Sequence, residues 1–281
     1  MVKAKPGKIA FVKELVKFGE EKLSLNFAGS FRKVDRKKKT ANWLYVVHPD
    51  KLESALPNNE TFLFFWDLGK ARRKQTFYRK KGFHTYLYRA EAHGGGKCPI
   101  TPMLLAATGA RQGYVVLHEA WHSTCWSGGI RMPYALEEAT GRVVGVMGAV
   151  MFAEKTGDVE LIRECRNQAR DWERFARFIN RGAKALDKIY GKKPFAKERN
   201  VFFRKAREEA DRLRDKTKSP WEKEELTREM NNALFFRYRD YTLHYPLALR
   251  IYKSSRTLVS AMNKYKHAAR KGTLNMLMRM E

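Results

Sequence analysis

Three cysteines in 281 residues, Cys98, Cys125 and Cys165, with no Cys-x-x-Cys pair among them, leave little material for cross-links. An odd count at such spacings argues against a disulfide framework and suits a reducing compartment, so a cytoplasmic protein is expected. Long apolar runs are missing too. No stretch approaches the roughly 18 residues that a spanning helix requires, and the opening MVKAKPGKIAFVKELV holds too few consecutive apolar residues for an export signal. Acidic residues are scarce, 30 against 57 Lys and Arg, for a net charge of +27. The excess gathers in Arg32-Lys33, Arg36–Lys39, Arg72–Lys74, Arg79–Lys81 and Lys192-Lys193, with Phe77, Tyr78, Phe83, Tyr86 and Tyr88 interleaved with one of them. Basic patches with aromatics can hold phosphates and stack bases, so nucleic acid is one candidate partner. No helix-turn-helix, zinc-finger or RNP motif accompanies them, and a solvated, solubilising surface is the competing reading.

One window departs from this charge excess. Residues 101–150 carry three Lys and Arg and three acids, and the acids are Glu119, Glu137 and Glu138. The same window holds His118-Glu119-Ala120-Trp121-His122 within the mostly apolar run GYVVLHEAWHSTCW. Residues four apart share a helical face, so both imidazoles can reach one metal ion. Chance alone, at this composition, would produce such a pentapeptide on the order of 0.01 times. Two histidines and a glutamate in an apolar helix are costly without partners or a metal, and a metal site is the favoured reading over a satisfied core cluster. Glu119, one residue past the first ligand, is placed to act as general base on a metal-bound water. Cys125 lies three residues past His122, where an inert core thiol is the expectation and a ligand the alternative.

A catalytic site needs a third protein ligand, and no third histidine follows at short spacing. The nearest downstream carboxylates are Glu137 and Glu138, in PYALEEATGRVVGVMGAVMFAEKTG. Pro133 near its start, early acids and Gly157 near its end predict a second helix there. Its Ala139, Gly141, Gly145, Gly148 and Ala149 would let a neighbouring helix approach closely. Spacing does not decide between the two glutamates, since one can serve as an N-terminal helix charge.

Further blocks carry a resemblance. FGEEKLSLNFAGSFRKV with NWLYVVHPDKLE, then FWDLGKARRKQTFYRKKGFHTYLYRAEA, then PITPMLLAATGARQGYVVLHEAWH, and later FAEKTGDVELIRECRNQARDWERFARFINRGAKALDKIYG run in order along the chain. Together with Asn231-Asn232-Ala233, Tyr241 and Pro246 they resemble the bacterial family named putative aminopeptidase, a group with a gluzincin-type motif. The resemblance implies a zinc metallopeptidase with one Zn²⁺ per chain acting on peptide or protein substrates. It matches Glu137-Glu138-Ala139-Thr140-Gly141 to an Asn-Glu-Ser-Phe-Ala segment, which makes Glu138 the third ligand beside His118 and His122. Glu137 would then orient a histidine ligand. It also nominates Tyr241 to stabilise the developing oxyanion, with His244 as the alternative and core packing as the bland reading of Tyr241. The chain departs from the family at His93-Gly94-Gly95-Gly96-Lys97, where a Ser-Thr-Leu-Gly stretch is usual, and at Glu137 and Thr140.

With 43% hydrophobic residues the chain can bury a sizeable core as one large domain or two packed lobes. A first helix is expected over Ile9–Lys22, strands at NWLYVV, TFLFFW and HTYLYRA, and a short basic helix over Ala71–Lys81. Gly94–Gly96 is the clearest flexible segment. From Pro102 onward nearly all is expected helical, with long helices at Val159–Tyr190, Pro194–Lys216, Trp221–Leu243 and Pro246–Ala269. Asn231 and Asn232 are expected to cap or cross-link helices. The fold class is thus α+β, predominantly helical: residues 1–101 form an N-terminal region with a small sheet, packed on a zincin-like helical region over 102–281.

Overall fold

A computed structural model describes residues 6–35, 37, 40–92, 97–192 and 194–271; Gly94–Gly96 and parts of the Arg36–Lys39 and Lys192-Lys193 clusters lie outside the described residues. The architecture is predominantly helical with one small sheet, as the hydrophobic periodicities lead one to expect. The elements are α1 (Pro6–Leu23), β1 (Ala41–Val47), β2 (Leu63–Phe65), α2 (Leu68–Lys80), β3 (His84–Ala90), α3 (Pro102–Ala106), α4 (Gly109–Ser127), α5 (Tyr134–Thr156), α6 (Val159–Tyr190), α7 (Ala196–Lys216), α8 (Pro220–Glu225), α9 (Asn232–Thr242), α10 (Tyr245–Lys253) and α11 (Leu258–Arg270). Among the described residues no helix is long and apolar enough to cross a membrane. The chain divides into two compact units, one from 1–38, 91–169 and 240–281, the other from 39–90 and 170–239.

In the second unit β1 is central, antiparallel to β2 on one side and β3 on the other. Leu44 faces Leu63 and Leu87 across the ladders. Strand alternation sends Leu44 and Val46 into a core with Leu56, Leu63, Phe65, Tyr78, Phe83 and Leu87. The opposite face presents Trp43, Tyr45 and Tyr88, which surround the buried Arg237 guanidinium at 5.9, 5.1 and 4.8 Å from their ring centroids. A one-residue slip would exchange the two faces, so these side chains fix the register.

Two expected long helices are each broken, and each break has a polar side chain behind it. The predicted Trp221–Leu243 helix stops after Glu225 and resumes at Asn232, because the Asn231 carboxamide oxygen accepts from the N–H groups of Ala233 and Leu234 at 3.0 and 3.2 Å and so caps α9. The predicted Pro246–Ala269 helix stops at Lys253 and restarts at Leu258, where the Thr257 hydroxyl accepts from Ser260 N–H at 3.1 Å. Asn232 is the expected cross-link: its Nδ2 donates to the His48 and Lys51 carbonyls at 2.7 and 3.2 Å, and its Oδ1 accepts from Tyr190.

The first unit is organised around an antiparallel pair, α4 and α5. Thr108 caps the start of α4 by accepting from Arg111 N–H, and Pro133 stands at the start of α5. Gly157, in the left-handed conformation at φ 72°, ends α5 as its position in the sequence suggests. The backbones approach so closely that a Cβ on Gly145 would lie 2.7 Å from the Tyr114 carbonyl oxygen, and one on Gly113 would lie 2.9 Å from Ala149 Cβ. The small residues of α5 therefore set its distance from α4. Phe11 and Phe18 of α1 meet Phe152 of α5 edge-on, each at 5.4 Å, and Tyr265 of α11 sits 6.0 Å from Trp121 of α4.

Candidate metal centre

Helix α4 carries Tyr114, His118, His122 and Trp126 at intervals of four, so these side chains form one stripe along the helix. His118 is buried, and His122 is half-buried. Helix α5 brings two adjacent carboxylates to this stripe and gives them different partners. Glu138 is buried, with Oε2 3.3 Å from His118 Nε2 and 3.6 Å from His122 Nε2. Glu137, half-buried, has Oε1 2.7 Å from His122 Nδ1. The two histidine Nε2 atoms are 3.2 Å apart.

These separations suit a metal ion. Ligand bonds of about 2.0–2.1 Å in a tetrahedral site place neighbouring ligand atoms roughly 3.3 Å apart, which is the scale of all three edges of the triangle. The same three residues are a group able to hold a metal, with ligand atoms all within 4.8 Å of one another. Among the described residues, Glu138 Oε2 and His118 Nδ1 are moreover buried without a hydrogen-bond partner. A buried carboxylate oxygen left in that state is costly, and coordination would satisfy it.

Electrostatics bind the cluster together. Burial disfavours the charged form of His122, but the nearby charge of Glu138 and the hydrogen bond to Glu137 outweigh it, so the His122 pKa stands well above its ordinary value. Burial likewise works against the Glu138 carboxylate, yet His122 and His118 hold its pKa well below the usual range. Both carboxylates lie near the start of α5, where the helix dipole favours negative charge.

The two histidines are oriented by different physics. His122 can donate from Nδ1 to Glu137, which fixes the tautomer and leaves Nε2 free to coordinate. The His118 ring is held by packing instead: Tyr114 tilts against it at 5.1 Å, Tyr241 stacks on it at 6.3 Å and an interplanar angle of 22°, and Gly141 opens the space beside its Nδ1. A Cβ at Gly141 would stand 3.1 Å from that atom. Tyr114 is itself braced by two guanidinium groups, Arg142 at 4.0 Å and Arg111 at 4.8 Å from the ring centroid. Arg111 is paired with Glu91 through Nε at 2.8 Å and Nη2 at 3.1 Å, both residues buried.

The sequence-nominated residues His118, His122, Glu137, Glu138 and Tyr241 are thus brought together. Glu119 is half-buried on α4, and its charge is felt at both His122 and Tyr114. His244 stands at the start of α10. Cys125 is not part of the metal-capable group; its thiol is pushed up to about 12 by burial and by Glu137. Tyr114 and Arg142 escape a reading of the sequence for function, because an aromatic in an apolar run reads as core. Their signal is spacing, four residues before His118 and four after Glu138.

Searches of curated proteins and of solved structures return no match. The model of one protein family, described as Putative aminopeptidase, matches residues 2–274. A match over nearly the whole length, spanning every element of the candidate centre, shows that this chain belongs to the putative aminopeptidase family.

Proposed function

We propose that the protein is a zinc metallopeptidase of aminopeptidase type, with a gluzincin-like site in which His118, His122 and Glu138 hold the metal. The observation that carries this reading is the triangle of 3.2, 3.3 and 3.6 Å between His118, His122 and Glu138, which has the dimensions of a tetrahedral ligand set. A zinc ion bound there would lower the pKa of a coordinated water to about 7 and polarise the scissile carbonyl. Glu119 takes the proton from the attacking water at its carboxylate and delivers it to the leaving amine. Glu137 holds the His122 ring through Nδ1, so that Nε2 would be left to coordinate. Tyr241, stacked on His118, would donate a hydrogen bond from its hydroxyl to the substrate oxygen that gains charge, and the tilted Tyr114 ring packs against the His118 imidazole. Family membership supports the reaction class, a peptidase.

The test is hydrolysis of aminoacyl and dipeptide substrates by the intact protein. Activity should vanish on chelation, return with Zn²⁺, and be lost in Glu119→Gln with the metal still bound. Hydrolysis that survives complete metal removal, or survives Glu119→Gln, would overturn the assignment.

A further inference from the structure

Exposure rises along both helices of the centre toward the same end. On α4 the His118 side chain is 6% exposed and that of His122 23%, while Trp126, one turn further, is 69% exposed. On α5, moving toward its N-terminus, the side chains of Glu138 and Glu137 are 7% and 25% exposed, and Tyr134 is 55% exposed. The site therefore opens where α4 ends and α5 begins. The packing register runs into that opening: Gly113 lies against Ala149, Tyr114 against Gly145, His118 against Gly141, and Trp121 donates to Thr140 at 3.0 Å. Trp126 lies one turn past His122 on α4 and Tyr134 one turn before Glu138 on α5, both in the direction of that opening. Two large rings, each more than half exposed, thus lie at the mouth of a polar centre, where burial against a ligand would remove apolar surface from water.

We infer that Trp126 and Tyr134 form an apolar subsite that takes the side chain of the substrate residue next to the cleaved bond. The preferred substrates are then peptides carrying a large apolar or aromatic residue there, in place of small or charged ones. This rests on the peptidase reading above and names its substrate class. Rings of this size bury 150–250 Å² when fully covered and favour aromatic partners in offset or edge-on contact.

The probes are Phe-Gly and Ala-Gly, titrated calorimetrically into metal-loaded Glu119→Gln protein, which binds without turnover, and into the same protein with Trp126→Ala or Tyr134→Ala added. Phe-Gly should bind about tenfold or more tighter than Ala-Gly, a discrimination of the size a hydrophobic pocket delivers. Trp126→Ala should remove most of that preference and leave metal content and melting temperature unchanged, since Trp126 packs little of the core. Trp126→Phe should restore part of it. Equal binding of the two dipeptides, or a preference untouched by both alanine variants, overturns the subsite. Failure of the peptidase reading shows differently, as absence of metal or of any hydrolysis in the wild-type protein.

Discussion

Glu119 shares α4 with the two imidazoles and Glu137 and Glu138 reach them from α5, and under the metallopeptidase reading the three do separate work. Glu119→Gln should retain metal and lose activity by about 10²-fold or more, the usual worth of a positioned general base; steady-state kinetics beside elemental analysis check this. Glu137→Ala should weaken metal binding by about 10–100-fold, because His122 loses the acceptor at 2.7 Å that fixes its tautomer. A competition titration with a chromogenic chelator measures it. In the metal-free protein the coupled pair also sets a pH dependence. His122 is held above 6.5, so its contribution to stability is complete below 6.5 and is lost as pH rises through the raised folded value. Glu138 is held below 4.5, so its contribution is present above 4.5 and is lost as pH falls through the depressed folded value. Between 4.5 and 6.5 both are in place. Metal binding at neutral pH must displace the His122 proton, so apparent affinity should tighten as pH rises toward the folded His122 pKa. Calorimetry in buffers of different ionisation enthalpy would report the released proton, and an affinity independent of pH over that range would contradict the coupling.

At the scale of the element, α4 and α5 act as one rigid piece because glycine brings their backbones together. Gly145→Ala should destabilise the protein by about 1–3 kcal/mol, as overpacking against backbone does. The added methyl would meet the Tyr114 carbonyl oxygen and lie 3.1 Å from His118 Cβ, so metal affinity should fall with stability. Urea unfolding and metal titration of one preparation read both; a variant of wild-type stability would show that the helices part at little cost. Asn231→Ala, by contrast, removes the cap of α9 and should cost about 1 kcal/mol without touching the metal. These elements mark how far sequence reasoning reaches. The His-Glu-x-x-His spacing places both imidazoles on one helical face, and the small residues of α5 announce a close helix pair. Glu137 and Glu138 stay indistinguishable on spacing, since adjacent helical positions both fall near the α4 interface and only the packed register separates them. The break at 254–257 is hidden because Thr257 is an ordinary polar residue in an amphipathic pattern until its side chain turns back to cap the next helix, and at 226–231 the expected capping role of Asn231 does not by itself fix where the preceding helix stops. Tyr114 is hidden for the opposite reason, its aromatic ring being indistinguishable from core.

For the whole molecule, the chain carries a net charge of +27, while the three candidate ligands come from residues 101–150, where charges balance. Such a field draws anionic substrates toward the protein and is screened by salt. Under the peptidase reading, kcat/KM for an acidic peptide should fall as ionic strength rises while that for a neutral peptide of equal size changes little; equal responses would separate the charge from substrate capture. The central claim, that His118, His122 and Glu138 are a metal site, is tested most directly by elemental analysis of protein purified without chelators or a metal-binding tag, comparing wild type with His122→Ala. The account predicts about one zinc per chain in the wild type and none in a variant that remains folded. A wild-type protein that neither contains zinc nor takes it up, or a His122→Ala protein that keeps it, would contradict the claim.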